Sequence, residues 1–463
     1  MTEENHAPNL LPVGLVLAAL LWIFTTTGGR QIFVSEILST AYDSQAEHFL
    51  RGDVDVDGDA IVHEALIVNG RSRMYFGPFP AFLRIPLNFM YPAGRGLWSR
   101  ISGFSAAMIA LASFASIVRL ALRSTQLSLS WKNALGHACM VGFALASPLL
   151  LLLGNLSIYD EAIIWGFAWS MAALYFVLRS REAEGPALTR HLLGFSFCAG
   201  AALLSRATFG ASLLLIAPLL ALRLFRRKPI RNLAALFLPL GAAFLFYLFL
   251  TYARFGDFSG MPMRYSSNPE QRQFAVQHGL FRLERVPYSF ADYFFLRGPE
   301  LQREAPFLRA DRRWYHYPNL FVMAFTETYS SLLWCSSWIL FGAAIGMAML
   351  LRPGGTSGED RAIAAAFLLQ CIIILSFMGL AQRYVTEFFP FLVFAFFLFL
   401  RQGKAAFHWR FAFVALVATS LVINSLATVS WLVEADMNVP EQTRAQWYEF
   451  LGRTYQDQRF WQQ

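Results

Sequence analysis

Gln31-Ile-Phe-Val-Ser-Glu36-Ile-Leu-Ser-Thr-Ala-Tyr42-Asp43-Ser-Gln-Ala-Glu47-His48-Phe-Leu-Arg51-Gly52 stands directly behind an apolar run at 10–27. Polar character continues to Tyr75-Phe-Gly-Pro-Phe-Pro80, where hydrophobic sequence resumes. A long polar loop straight after the first apolar helix, with acidic residues near its start, is unusual for a plain transporter. It points to chemistry at one membrane face.

Composition sets the class. The 463-residue chain is 56% hydrophobic and 15% charged, with mean hydropathy +0.44, whereas soluble domains carry about 25% charged residues. Apolar runs of about 20 residues recur, each able to cross a bilayer. A β-barrel would show alternating segments of about 10 residues instead. The expected fold is an all-α polytopic membrane protein. The net charge of +8 is no sign of nucleic acid, because the basic residues sit in short loops between spans. Cys139, Cys198, Cys335 and Cys371 lie in apolar spans without CxxC spacing and read as small buried hydrophobes. Residues 1–8 hold Glu3 and Glu4 and no Lys or Arg, so 10–27 reads as a retained helix and not a signal peptide.

About eleven spans are expected (roughly 10–13), at 10–28, 99–122, 133–153, 161–178, 191–204, 207–224, 232–252, 331–351, 362–380, 384–400 and 409–431. Between 191–204 and 207–224, Ser205-Arg206 is either a tight turn or a polar break inside one helix. One alternate set of loops holds Arg119, Arg123, Lys132, Arg179, Arg181, Arg190, Arg223, Arg226, Arg227, Lys228, Arg231, Arg352, Arg361, Arg401, Lys404 and Arg410. The opposite short loops hold only Arg206 and Arg383. The positive-inside rule puts the first set and the N-terminus in the cytoplasm and the C-terminus outside. Residues 1–463 then form one integral membrane domain. Its extracytoplasmic parts are the loops 29–98 and 253–330 and the tail 432–463, which pack as a cap over the helices.

Within the first loop, Val34, Leu38, Ala41, Tyr42 and Phe49 recur at helical spacing, which predicts an amphipathic interface helix carrying Asp43 and Glu47 on one face. Asp53-Val-Asp55-Val-Asp57-Gly-Asp59 with Glu64 meets the spacing of a calcium loop. A turn between short strands at 53–57 and 63–68 fits as well, so a divalent cation is left open and no other cofactor is expected. Asn69-Gly70 supplies a turn. The stretch after Tyr75 is too broken by proline to span.

Ionisable residues near span ends carry functional hypotheses. Asp160 and Glu161, Arg206, Arg383 and Arg254 all fall on the side of Asp43. Arginine holds phosphate through forked hydrogen bonds, and carboxylates take protons from hydroxyls. Both on one face suggest transfer from a phosphate-activated lipid.

These features resemble integral membrane glycosyltransferases of the GT-C type, the broad group with protein O-mannosyltransferases and aminoarabinose transferases. The similarity lies in the early outer loop, Tyr42-Asp43 with its Ala-x-x-Phe-Leu-x-Gly helix end, and Gly70-Arg71 leading to Tyr75-Phe-Gly-Pro-Phe-Pro80. It extends to Tyr252-Ala-Arg254-Phe-Gly-Asp257 and the run from Arg383-Tyr384 to Pro390. It implies a GT-C-like fold and inverting transfer of a sugar from a polyprenyl-phosphate donor to a glycan, lipid or protein acceptor, at the outer face of a bacterial inner membrane. It also implies a catalytic acid at Asp43. Family members often carry Asp-Glu there, whereas Ser44 follows here, so the second acid falls to Glu47, Asp160 or Glu161. Arg206, Arg254 and Arg383 are the candidate phosphate ligands, and Tyr75 and His48 complete the substrate-binding set. An O-antigen ligase or polymerase, with its large loop usually late in the chain, and a multispan transporter, with paired broken helices in two repeats, are the competing readings.

Overall fold

The computed structural model describes residues 7–225, 230–310, 323–327, 330–403, 408–434 and 439–455. Arg226, Arg227, Lys228 and Lys404 of the basic loops, and parts of the second loop and the tail, lie outside the described residues.

Each of the eleven expected stretches coincides with a helix or a helix pair. In chain order, α1 is Leu11–Thr25, α2 Thr40–Leu50, α3 Gly58–Ile61, α4 Phe79–Met90, α5 Ser99–Arg123, α6 Leu129–Leu145, α7 Pro148–Gly154 and α8 Ile158–Ser180. They are followed by α9 Gly185–Ser205, α10 Ala207–Phe225, α11 Ile230–Phe255, α12 Pro269–His278, α13 Val286–Ala291, α14 Leu332–Cys335 and α15 Ser337–Leu351. The last are α16 Gly358–Leu375, α17 Phe389–Arg401, α18 Arg410–Glu434 and α19 Glu441–Phe450. Among the described residues, seven helices are long and apolar enough to cross a membrane, and α6 with α7, bent by 41°, makes an eighth. The remaining three stretches fall short of that test: α1 and α15 have only 15 residues each, and α16 opens on Glu359, Asp360 and Arg361. The protein is a helical integral membrane protein.

The helices group by what surrounds them. α8 and α17 run through the middle and are buried over most of their length, whereas α11 and α18 turn most of their apolar surface outward. That outward surface includes Leu238, Leu245 and Phe249 on α11. α15 lies directly on α17 because it presents Gly342 and Gly346 one turn apart. A Cβ on Gly346 would stand 1.9 Å from the Ala395 carbonyl oxygen, the close approach that small residues permit between membrane helices. Ser205-Arg206 resolves as a tight turn: α9 ends at Ser205, Arg206 is extended, and α10 folds back so that Gly210 lies against Leu203.

The two ends of the bundle differ in chemistry. At one end Arg123 pairs with Glu182, Arg181 with Asp360 at 2.6 Å, and the Arg223 guanidinium donates to the Ser180 carbonyl. The other end carries the loop at 29–98, and here the expected helix needs correction. It does not begin at Val34. Glu36 is drawn inward onto Arg100 at 2.7 Å, Leu38 takes a left-handed φ of 57°, and α2 starts only at Thr40. The strands are Leu66–Val68 (β1) and Arg71–Arg73 (β2), paired antiparallel with Val68 opposite Arg71. Residues 53–57 form no strand. Asn69 and Gly70 turn the hairpin with φ of 51° and 77°, the double positive φ that a type I′ turn requires. Leu66 also bridges to Ser266 of the second loop. α4, with Pro86 inside it, is 12 residues long, about 18 Å, and lies across the bundle end with Phe89 and Met90 exposed.

Candidate functional site

The first loop is fastened by a buried charge cluster. Asp43, in the first turn of α2, is fully buried. Its Oδ1 accepts from Asn88 Nδ2 at 2.7 Å, its Oδ2 from the Gly96 N–H at 3.1 Å, and Arg84 Nε lies 3.8 Å away. Arg84, on the inward face of α4, donates through Nη2 to both oxygens of Glu161 at 2.7 Å. Ser99 and Ser102 complete the Glu161 shell at 2.9 and 2.6 Å. Burial pushes the Asp43 carboxyl above the usual aspartate range, against the pull of Arg84, Asn88 and the Gly96 N–H. Arg84 and Asn88 escaped the sequence reading. The available signal was an arginine set in Ala-Phe-Leu-Arg84-Ile-Pro-Leu, where solvent gives no reason for a charge.

A second set lies on the rim. Glu47 pairs with Arg95 at 2.9 Å, and both are part-exposed. His48 stands between two aspartates, Nδ1 2.6 Å from Asp53 and Nε2 3.3 Å from Asp57. The Ser44 hydroxyl, and then His48, hold Asp57 below the ordinary carboxylate range. Asp53 is also held low, against partial burial, by the Asp55 N–H and His48. Asp55 pairs with Arg71 and Arg73. Asp53 and Asp57 thus share His48, Asp55 is turned to Arg71 and Arg73, and Glu64 is directed to tyrosine hydroxyls instead. Among the described residues no group of three His, Cys, Asp or Glu is placed to hold a metal ion. The run forms a charged turn held by His48, Ser44, Arg71 and Arg73.

The third set carries most of the remaining candidates. Tyr75 OH donates to Glu64 Oε2 at 2.8 Å and Tyr159 OH to Glu64 Oε1 at 2.7 Å. Arg383 lies 4.8 Å over the Tyr159 ring and pairs with Glu327 at 2.7 Å. Arg206 pairs with Glu387 and covers the other side of this patch at Tyr384. Asp160 is buried in the first turn of α8 and accepts from Asn155 and Ser157. Arg254, in the last turn of α11, donates through Nη1 to the Phe76 carbonyl at 3.1 Å. Its Nε and Nη2 are buried with no hydrogen-bond partner, and no carboxylate pairs with it among the described residues. Phe76 is held there because Gly77 rests on the end of α9: a Cβ would meet the Leu204 and Ser205 carbonyl oxygens at 2.2 and 2.4 Å.

The nine candidate residues therefore separate into three places. Asp43 and Glu161 share the buried anchor through Arg84. Glu47 and His48 sit on the rim. Tyr75, Arg254, Arg206 and Arg383 surround the Glu64–Tyr159 patch, with Asp160 packed beneath. Arg206 and Arg383, expected to be open to a phosphate, are each already neutralised by a glutamate, whereas Arg254 has no such carboxylate among the described residues. Glu64, Glu327 and Glu387 are the carboxylate neighbours that lie outside the candidate set.

No protein-family model matches the sequence, and no curated protein matches it significantly. Among solved structures, the chain is similar to the apo oligosaccharyltransferase of Archaeoglobus fulgidus. The identity is 13% and the TM-score 0.48, with 96% of this chain and 60% of that one covered. The apo ArnT of Cupriavidus metallidurans matches at 12% identity and TM-score 0.48, covering 96% and 77%. The Archaeoglobus fulgidus oligosaccharyltransferase AglB in complex with an inhibitory peptide and a dolichol-phosphate matches at 13% and TM-score 0.45, covering 96% and 60%. The chain spans less than two thirds of the length of the archaeal enzyme.

Proposed function

We propose that this chain is a membrane glycosyltransferase. It moves a sugar, with inversion, from a polyprenyl-phosphate donor to a hydroxyl on a glycan, lipid or protein at the bundle end covered by residues 29–98. In this reading that end is extracytoplasmic and the basic loops are cytoplasmic. The observation that carries the reading is Arg254. Its guanidinium is buried, holds one protein carbonyl, and keeps two N–H-bearing nitrogens without a partner among the described residues. Burying an unpaired cation costs several kcal/mol, so such a group marks a place where an anion completes the site. A donor phosphodiester carries one negative charge. As the bond from C1 to the phosphate oxygen breaks, the departing polyprenyl phosphate gains a second. Arg254 then interacts more strongly with the departing group than with the bound donor, which is what lowers a barrier. Arg206 and Arg383, already paired, frame the pocket.

Titration of the detergent-solubilised protein with polyprenyl phosphate tests this. A ligand at 100 times its Kd stabilises the fold by about 2.7 kcal/mol, and that gain should vanish in Arg254→Met. The apo Arg254→Met protein should be at least as stable as wild type, because the substitution removes a buried charge and leaves only the neutral Phe76 carbonyl without its donor. Equal stabilisation of both proteins by the lipid would contradict the assignment.

A further inference from the structure

We propose that Glu64, and not Asp43, is the carboxylate that takes the proton from the acceptor hydroxyl; the inference rests on the glycosyl-transfer reading above. Both oxygens of Asp43 are engaged, one by Asn88 and one by the Gly96 N–H, with Arg84 behind them, and the side chain has no exposed surface. Glu161 is enclosed by Arg84, Ser99 and Ser102. These two carboxylates fasten the loop to the bundle.

Glu64 is built differently. It receives one hydroxyl on each oxygen, from Tyr75 and Tyr159. A carboxylate has about four lone-pair sites, so about half remain for a substrate hydroxyl. Its side chain keeps 9% exposure, and the neighbouring His63 is more than half exposed. The carboxylate therefore lies one layer beneath an open surface and not inside the anchor. It sits at the end of a short turn, Val62–Glu64, one residue ahead of β1, and Val62 holds a φ of 45°. A β-branched residue is rarely found there.

The same loop strip ties Glu64 to the anion side. Tyr75, which holds Glu64, is stacked on Phe76 with ring centroids 4.2 Å apart, and the Phe76 carbonyl holds Arg254. Two consecutive residues thus carry a carboxylate on one hand and the unpaired guanidinium on the other. Inversion needs that division: the acceptor arrives on one face of the anomeric carbon and the phosphate leaves from the other. In the step, the acceptor oxygen forms its bond to C1 while the bond from C1 to the phosphate oxygen breaks. The electron pair stays on the polyprenyl phosphate against Arg254, and the acceptor proton passes to a Glu64 oxygen. Tyr75 keeps its own proton throughout, since burial first and the Glu64 charge second push its hydroxyl well above the usual tyrosine range. It orients the base and does not compete with it.

The test is transfer from a polyprenyl-phosphate sugar by wild type, Glu64→Gln, Glu64→Asp and Asp43→Asn, each normalised to folded protein. Binding of polyprenyl phosphate is followed in parallel. Loss of a general base costs about 10²–10⁴-fold. Glu64→Gln should lose at least about 100-fold in kcat while binding polyprenyl phosphate as wild type does. Glu64→Asp should recover part of the loss, and Asp43→Asn should fall only with the amount of folded protein. An active wild type with an equally active Glu64→Gln overturns the Glu64 assignment alone. So does a loss in Asp43→Asn that exceeds the loss in Glu64→Gln. A folded wild type that transfers from no donor to any hydroxyl acceptor overturns the glycosyl-transfer reading itself.

Discussion

Replacing Arg84 with methionine separates the anchor from the rim. The Arg84 guanidinium is fully buried, donates to both Glu161 oxygens at 2.7 Å and lies 3.8 Å from Asp43. Methionine fills similar volume but strands two buried carboxylates. Removing one partner of a buried ion pair costs about 3–5 kcal/mol, a factor of roughly 10² to 10⁴ in the folded-to-unfolded ratio. The rim pair of Glu47 and Arg95 sets the contrast. Its side chains are 33% and 48% exposed, and exposed pairs contribute about 0.2–1 kcal/mol, so Arg95→Ala should be nearly silent. The assay is equilibrium unfolding in detergent, with inactivation half-lives recorded beside it because large membrane proteins unfold irreversibly. Adding Glu161→Gln to Arg84→Met should recover a good part of the loss, since one stranded charge is then gone. An Arg84→Met protein within about 0.5 kcal/mol of wild type, or a double variant no better than the single one, would refute the anchor.

The pH dependence has a definite sign. The folded Asp43 carboxyl is raised by burial, so its stabilising contribution is complete below the unfolded value of about 3.9 and is lost as pH rises through the folded value. Asp43→Asn should therefore flatten the decline of stability towards neutral pH; an unchanged slope would argue against a buried carboxyl there. Asp53 and Asp57 are lowered and act the other way: their contribution is present above about 3.9 and is lost as pH falls through their folded values, so His48→Ala should weaken acid resistance in that window. Gly77→Ala drives a methyl group into the Leu204 and Ser205 carbonyls, which are backbone and cannot swing aside. It should cost about 1–3 kcal/mol and lower polyprenyl phosphate affinity by moving the Phe76 carbonyl off Arg254. A Gly77→Ala protein with wild-type stability and affinity would show that this approach is not needed.

What the sequence disclosed follows from the range of each interaction. Apolar runs report directly on helices, and all eleven expected stretches coincide with one or with a helix pair. Asn69-Gly70 announces its turn because both residues tolerate positive φ. The grouping of Asp160, Glu161, Arg206, Arg254 and Arg383 at the end that carries Asp43 follows from span alternation alone. Partner choice was not legible. Nothing in Leu380-Ala-Gln-Arg383 says that Glu327 neutralises it, and nothing around Arg206 names Glu387, 181 residues away. Arg254, the residue left unpaired, looked no different from those two. The apolar period at Val34 and Leu38 points to an earlier start for α2, but it runs through a segment that is held by the distant Arg100. In the sequence Glu64 stands out only as the last position of a metal-loop pattern. Its role appears when Tyr75, eleven residues on, and Tyr159, from another helix, converge on it.

Sugar transfer in proteoliposomes, from a panel of polyprenyl-phosphate sugars to hydroxyl acceptors, should compare wild type with Arg254→Met at matched folded protein. Removing a group that stabilises developing negative charge costs about 10²–10³-fold in kcat. Wild type should turn over at least one donor, and Arg254→Met should lose about that factor while remaining as stable as wild type or more so. Undiminished transfer by Arg254→Met, or no transfer by folded wild type across the panel, would contradict the account.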